Sequence, residues 1–140
     1  MRPSLRNRQS GVALLEALVG ILIFSIGILA IMALQAEAIR NTVEARYRNE
    51  AAYLANQVIG QMWVDQANLS AYDTASGTNG NMTAWRTRVA DRLPGITIGG
   101  TNSPEIDVAG SQVTVTIFWK LPGGDTATRQ LSVVAQINPS

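Results

Sequence analysis

The sequence predicts an α+β fold in which a long N-terminal helix packs on a small C-terminal antiparallel sheet. The first half of this helix is apolar enough to cross a membrane: residues 12–34 contain 19 apolar residues out of 23. A helix that rises about 1.5 Å per residue crosses a hydrocarbon core of roughly 30 Å in about 20 residues. Residues 96–137 instead carry apolar side chains at alternate positions, which is typical of strands with one buried face.

The composition of the 140-residue chain argues against an enzyme. The chain contains neither Cys nor His, so it cannot build a disulfide scaffold, a thiol nucleophile, a zinc finger or a His-based acid–base site. Ten acidic and eleven basic side chains give a formal net charge of +1, which does not favour electrostatic binding of nucleic acid. We therefore expect a non-enzymatic protein with no cofactor, no metal ion and no nucleic-acid partner.

The charges before the apolar segment predict its orientation. Arg2, Arg6 and Arg8 precede residues 12–34, and no acidic residue accompanies them. The positive-inside rule then places the N-terminus in the cytoplasm and the chain from residue 35 onward outside. Two plain alternatives stay open: a secretory signal peptide cleaved near Ala36, and a simple single-span anchor.

Glu16 lies within the apolar segment, where a carboxylate is costly unless it meets a cationic partner or sits at the level of the lipid headgroups. The run Gly11–Glu16 reads Gly-Val-Ala-Leu-Leu-Glu and follows a short basic stretch. This combination resembles the prepilin signature of type IV pilins and of the pseudopilins of type II secretion. Val12 departs from the pattern, because Phe or Met is commoner at that position.

The resemblance implies roles for three residues. Gly11 would end the leader peptide, and a prepilin peptidase/methyltransferase would cleave the Gly11–Val12 bond on the cytoplasmic side and methylate the new amine of Val12. Gly11 suits this reaction because, without a side chain, its peptide can enter a tight cleft in an extended conformation. Glu16, the fifth residue of the mature chain, would pair with an N-terminal amine of its own chain or of a neighbouring subunit and so select the register of assembly.

The helical pattern continues beyond the apolar segment. Residues 35–66 contain no Pro and one Gly, Gly60. Apolar residues recur every three or four positions and mark one face, namely Ile39, Val43, Tyr47, Ala51, Leu54, Val58 and Met62. We therefore predict one helix from about Val12 to Asp65, whose second half packs this apolar face on the sheet.

The rest of the chain predicts a small head. Residues 66–82 are polar and indicate a loop, and residues 83–93 suit a short helix capped by Thr83. Leu121–Asp125 is typical of a hairpin turn. The apolar side of the short helix would comprise Trp85, Val89 and Leu93. Alternating apolar residues predict strands around Ile96 and Ile98, Ile106 and Val108, Val113 to Trp119, and Leu131 to Ile137.

These assignments divide the chain into four segments. They are a leader peptide at 1–11, a transmembrane or filament-core half of the helix at 12–34, a periplasmic half at 35–66, and a globular head at 67–140. The order of leader, long helix, loop and antiparallel sheet is similar to the architecture of type IV pilins. The resemblance implies a place in the bacterial inner membrane with a periplasmic head, and then at the tip of a pilus.

Two departures separate the chain from the main filament subunits of that family. Major pilins often carry a Pro about twenty residues into the mature helix, and this chain has Ala33 there. Major pilins often also carry a Cys pair, which this chain lacks. Residues Glu50–Gln57 and the strand Val113–Trp119 look like those of the PilV type of minor pilin, which is related to minor pseudopilin I of type II secretion.

The resemblance implies a structural subunit that helps prime pilus assembly and supports twitching motility and adhesion. Its partners would be the prepilin peptidase/methyltransferase, other minor pilins, the major pilin, the inner membrane and a tip adhesin. Two alternatives stay open: a minor pseudopilin of a type II secretion system, and a membrane-anchored binding module with no role in a filament.

Overall fold

The computed structural model describes residues 9–124 and 126–138. Its elements in chain order are α1 (Gln9–Val64), a 3₁₀ helix (Gln66–Tyr72), α2 (Gly80–Arg92), β1 (Glu105–Ala109), β2 (Gln112–Lys120) and β3 (Thr128–Gln136). The chain divides into two compact units between Thr42 and Val43, so α1 contributes residues to both. A long apolar N-terminal helix followed by a small antiparallel sheet confirms the predicted fold class.

The part of α1 within the second unit turns one apolar face toward the core. The apolar residues of this face from Ala51 to Met62 are fully buried, whereas Val43 and Tyr47 are partly buried and pack against the same hydrophobic core. The predicted face is thus confirmed over this stretch. Ile39 was placed on the same face but is 65% exposed, because it precedes the unit that contains the core.

The three described strands form one sheet in the order β1–β2–β3, and both pairs of neighbours run antiparallel. The central strand β2 alternates strictly between buried and partly exposed residues after Gln112. The inward residues of β3 are less well covered than those of β2, because β3 has a neighbour on one side only. The buried inward residues of β1 and β2 are Ile106, Val113, Val115, Ile117 and Trp119, and the partly buried ones of β3 are Leu131, Val133 and Ala135.

Helix α2 begins earlier than the sequence indicates. Asn79 is its N-cap, and the side-chain oxygen of Asn79 accepts a hydrogen bond of 2.8 Å from the backbone N–H of Asn81. Thr83, the predicted cap, instead lies inside the helix, where its hydroxyl donates to the Asn79 carbonyl oxygen. Asn is as good an N-cap as Ser or Thr, so Asn79 caps the helix four residues upstream of the predicted cap Thr83.

The apolar side of α2 packs on α1. Its predicted members are all buried: Trp85, Val89 and Leu93. The indole Nε1 of Trp85 donates a hydrogen bond of 2.9 Å to the carbonyl oxygen of Leu54 in α1. This bond gives the fully buried indole a partner and fixes α2 against the long helix.

The polar segment 66–82, predicted as a loop, is partly helical. Leu69 and Tyr72 of the 3₁₀ helix are buried, and the Tyr72 hydroxyl donates to the Asp65 carboxylate at 3.3 Å. A buried tyrosine is stable when its hydroxyl keeps a polar partner. Two apolar residues three positions apart in a polar stretch carry too little periodicity to predict this packing.

The strand expected at Ile96 and Ile98 is not formed, and that segment is a series of turns. Gly95 and Gly99 have φ angles of 78° and 80°, which are incompatible with an extended strand. Ile98 remains 47% exposed. Two apolar residues in alternation are too few to outweigh flanking glycines that favour turns.

The predicted turn between β2 and β3 contains Gly123 and Gly124, whose φ angles are 103° and 87°. Glycine adopts such angles without steric cost. Asp125, the last residue assigned to this turn, lies outside the described residues, as do residues 1–8 of the predicted leader.

Candidate functional site

The candidate site lies at the beginning of α1, where the structure places Gly11, Val12 and Glu16. Every residue from 11 to 42 is exposed, and Val12 retains 66% of its accessible surface. In the described part of the chain, α1 is the one helix long and apolar enough, by length and composition, to cross a membrane. A continuous apolar surface of this extent indicates contact with lipid or with other protein.

Gly11 and Val12 lie within α1, close to the first described residue of the chain. A Cβ atom built on Gly11 would meet no atom within 4 Å. The fold therefore accepts a larger side chain at this position, and any requirement for glycine must come from an enzyme or a partner.

Glu16 follows Val12 by four residues, so the two share one side of α1 and lie about 6 Å apart along its axis. It is the sole charged residue between 12 and 34. The hydroxyl of Ser25 in the same stretch donates to the Ile21 carbonyl oxygen at 2.7 Å, which satisfies it within its own helix. No described residue forms a hydrogen bond or an ion pair with Glu16.

This arrangement favours a cation close to Glu16. Cleavage before Val12 would create an α-amino group at the new helix start, and such a group is largely protonated at neutral pH. In an apolar environment a carboxylate and an ammonium attract each other much more strongly than at a water-exposed surface. A cation near Glu16, such as this amine, would therefore stabilise its carboxylate.

The family described as "Prokaryotic N-terminal methylation motif" matches residues 6–32. This match supports a type IV prepilin-like protein. The matched segment includes Gly11, Val12 and Glu16 and ends within the exposed part of α1. Comparisons with curated proteins and with solved structures found no match.

The motif and the helix together have two consequences for the prepilin-like chain. They fit anchoring in the inner membrane, because the matched segment coincides with the exposed apolar part of α1. A prepilin-type motif also implies processing by a prepilin peptidase and assembly with other pilins. The fold that follows the motif, a long helix and a small antiparallel sheet, is consistent with a type IV pilin-like α+β fold.

Two arginines of the second unit form ion pairs with glutamates of α1. Arg92 of α2 donates to the Glu50 carboxylate of α1 at 2.7 Å, and this hydrogen bond raises the pKa of Arg92. Arg129 of β3 pairs with Glu44 of α1 at 3.2 Å. These ion pairs join the surface of α1 to α2 and to the sheet.

Asp73 is a polar residue whose importance the sequence did not reveal. Its carboxylate accepts hydrogen bonds from the backbone N–H groups of Ser76, Ala75 and Val108 and from the Ser76 hydroxyl. The bond from the Ser76 N–H, followed by those from Ala75 and Val108, lowers the pKa of Asp73. An Asp three residues before a Ser is a weak signal of such a turn.

Asp73 also borders a groove of about 410 Å³. Arg86 lines this groove and donates to the Ser103 hydroxyl at 2.5 Å, and Glu105 and Asp107 lie on the exposed face of β1. Among the described residues, no three acidic side chains are placed together so that they could hold a metal ion.

Proposed function

We propose that this prepilin-like chain is a minor pilin, a structural and non-enzymatic subunit that helps prime the assembly of a type IV pilus and becomes part of it. One observation carries the proposal: Gly11, Val12 and Glu16 occupy the spacing of the prepilin motif at the start of an exposed apolar helix. In the head that follows, Arg92 pairs with Glu50 and Arg129 with Glu44, so these charges hold α2 and the sheet to α1, which suits a subunit that contributes surface instead of catalysis.

The proposed maturation begins with hydrolysis of the Gly11–Val12 amide on the cytoplasmic side. The reaction consumes one water molecule and leaves a carboxylate on Gly11 and an ammonium on Val12. After this ammonium has lost a proton, the free amine attacks the methyl group of an activated methyl donor bound by the methyltransferase, and the leaving group of the donor departs with the bonding electron pair. Release of residues 1–11 removes three arginines and leaves eight basic and ten acidic side chains. The charges that held the N-terminus in the cytoplasm are thereby lost, and the mature helix is free to leave the bilayer laterally for the filament.

Glu16 then pairs with the N-terminal amine of a neighbouring subunit. The physical reason is that neither charge is stable alone in the apolar surroundings of packed helices. We place the head in the periplasm and, after assembly, at the pilus tip. Ala33 and the absence of Cys support a minor over a major pilin, and the PilV resemblance belongs to this proposal, with other minor pilins, the major pilin and a tip adhesin as partners.

Mass spectrometry of the mature N-terminus tests the maturation step. We expect a chain that starts at Val12 and carries one methyl group on its amine. Gly11→Leu should leave the precursor uncut. Gly20→Leu is the matched control, since a Cβ at either glycine meets no atom within 4 Å. An intact Met1 start, or cleavage after Ala36, contradicts the proposal.

Deletion of the gene separates the pilus from the second candidate, a minor pseudopilin of type II secretion, which the same motif also fits. Loss of twitching with intact protein secretion supports the minor pilin, and the reverse supports the pseudopilin. A membrane-anchored binding module would stay in the membrane fraction and be missing from sheared filaments.

A further inference from the structure

One face of α1 within the second unit is exposed along its length. Its members are spaced alternately three and four residues apart, which is the spacing of a seam along which two helices pack. We call these six residues the outer seam: Arg46, Asn49, Tyr53, Asn56, Gly60 and Trp63. The other side of the same stretch carries residues of the hydrophobic core. The outer seam therefore points away from the core, and it is about 26 Å long.

The composition of the outer seam differs from that of an ordinary helix surface. A helix packed on a core normally turns charged side chains outward, yet α1 contains no charged residue from 51 to 64. The two aromatic side chains of the seam, Tyr53 and Trp63, are 56% and 48% exposed. Protein–protein interfaces are depleted of charge at their centre and enriched in Tyr, Trp and Arg. The outer seam therefore has the composition of a contact surface for another protein.

Gly60 indicates that the occupant of this surface is a helix. A Cβ atom built on Gly60 would meet no atom within 4 Å, so packing within the chain does not require glycine there, and glycine weakens the interior of a helix. Because glycine has no side chain, the backbone of a partner can approach α1 closely at this point. Close approach and the three-and-four spacing both suit a second helix that lies along α1.

The charge at the N-terminal end of the outer seam indicates which helix this is. Arg46 borders the same pocket as Glu50 and Arg92. Glu50 already pairs with Arg92, and Arg46 forms no hydrogen bond or ion pair with any described residue. A partner with an acidic side chain beside Arg46 would compensate this charge. Two identical chains anchored in one membrane would instead bring Arg46 against Arg46 at the same depth, and like charges across an interface disfavour such a pair.

We propose that the outer seam binds the corresponding helix of a different prepilin-like chain, which lies parallel to α1 and carries an acidic residue at the depth of Arg46. This partner rests on the proposed function, because the prepilin-type motif implies assembly with other pilins. Chains anchored in one membrane by their N-terminal segments run in the same direction, so the contact can form before the mature helix leaves the bilayer.

Site-specific photocrosslinking tests this contact in membranes of cells that produce the full-length chain together with its own assembly system. The photoreactive residue p-benzoylphenylalanine replaces Asn56 in the outer seam, and in the control it replaces Thr87, an exposed residue of α2. We expect a crosslink from position 56, in much higher yield than from position 87, to the helix that follows the motif of another prepilin-like chain. A product with a second copy, a product with a protein that lacks the motif, or equal yields at the two positions overturns the proposal.

Charge reversal tests the role of Arg46 with a matched control. Arg46→Glu should lower the crosslink yield from position 56 about tenfold, because an acidic partner would then meet a like charge. Arg46→Lys keeps the positive charge and should retain most of the yield. Arg48→Glu makes the same change at an exposed position outside the outer seam and should leave the yield unchanged. Equal yields from Arg46→Glu and Arg48→Glu overturn the proposal.

The crosslink and the filament measurement can fail separately. Resistance to proteolysis shows whether each variant is folded, and we expect no change because the replaced side chains are exposed. A chain that is crosslinked through the outer seam but is missing from sheared filaments supports the outer seam and contradicts the minor-pilin proposal. A chain that enters filaments without this crosslink leaves the minor-pilin proposal intact and overturns the role of the outer seam.

Discussion

A hydrogen bond joins α2 to α1, and the three tryptophans of the chain make it possible to measure how much this bond contributes to the free energy of unfolding. Trp85 is fully buried and donates to the Leu54 carbonyl oxygen. Trp119 is 2% exposed, but its indole N–H has no partner among the described residues. Trp63 is 48% exposed on α1. Replacing each in turn by Phe removes the same atoms from three different environments.

The expected losses of unfolding free energy follow from these environments. For Trp85→Phe, the lost hydrogen bond costs about 1 kcal/mol and the lost packing about 1–2 kcal/mol, which gives roughly 2–3 kcal/mol. Trp119→Phe loses similar packing but removes a buried unpaired N–H, so its net cost is about 0–1 kcal/mol. Trp63→Phe should change stability by less than about 0.5 kcal/mol.

Pulse proteolysis of the full-length chain in detergent, over a urea gradient, measures the fraction of folded head for each variant. We expect the midpoint to fall furthest for Trp85→Phe and least for Trp63→Phe. If Trp119→Phe destabilises the head as much as Trp85→Phe, the hydrogen bond to Leu54 contributes nothing net. The account of how α2 is held on α1 would then be wrong.

Three further predictions concern other parts of the chain. Glu16→Gln should leave removal of residues 1–11 intact but lower the ratio of protein in sheared filaments to protein in membranes about tenfold; an unchanged ratio contradicts the pairing role. The hydrogen bonds that lower the pKa of Asp73 favour its ionised carboxylate, which stabilises the fold fully at pH values above the ordinary aspartate pKa of 3.8. This stabilisation is lost as the pH falls through the lowered pKa. Asp73→Asn should therefore flatten the acid limb of a stability–pH curve measured by circular dichroism. In Gly77→Ala the new Cβ would lie against the backbone oxygen of Ala71, which should lower the free energy of unfolding by about 1–3 kcal/mol. Gly60→Ala has open space around it and should raise the free energy of unfolding by up to about 1 kcal/mol in the same urea assay.

Elements with long, regular patterns could be predicted from the sequence. Apolar residues recur on one face of α1 over five turns, from Val43 to Met62, and apolar and polar residues alternate over the nine residues of β2. Patterns of this length stay recognisable even if one position departs from them by chance. Short patterns failed. The pair Ile96 and Ile98 resembled a strand, and the 3₁₀ helix around Tyr72 resembled a loop, because tertiary contacts outweigh local propensity in segments of this length.

The candidate site was visible in the sequence for a different reason. Gly11, Val12 and Glu16 lie within six residues, so their spacing is fixed by the chain itself and needs no tertiary structure. The role of Asp73 and the open edge of β3 depend on which segments become neighbours in space. Asp73 contacts Val108 across 35 positions of sequence, and no local pattern contains that information.

The two units leave different groups unsatisfied, and this difference makes their functions separable by experiment. Residues 12–34 expose apolar side chains and one carboxylate, Glu16, that no described residue pairs with. The second unit contains all the buried apolar side chains among the described residues and leaves the backbone edge of β3 open. Because none of the core residues belongs to the first unit, Glu16→Gln should not alter the proteolysis midpoint of the head. If Glu16→Gln loses filament incorporation while this midpoint stays unchanged, Glu16 acts directly in assembly. If incorporation and the midpoint fall together, Glu16 acts through the folding of the head instead.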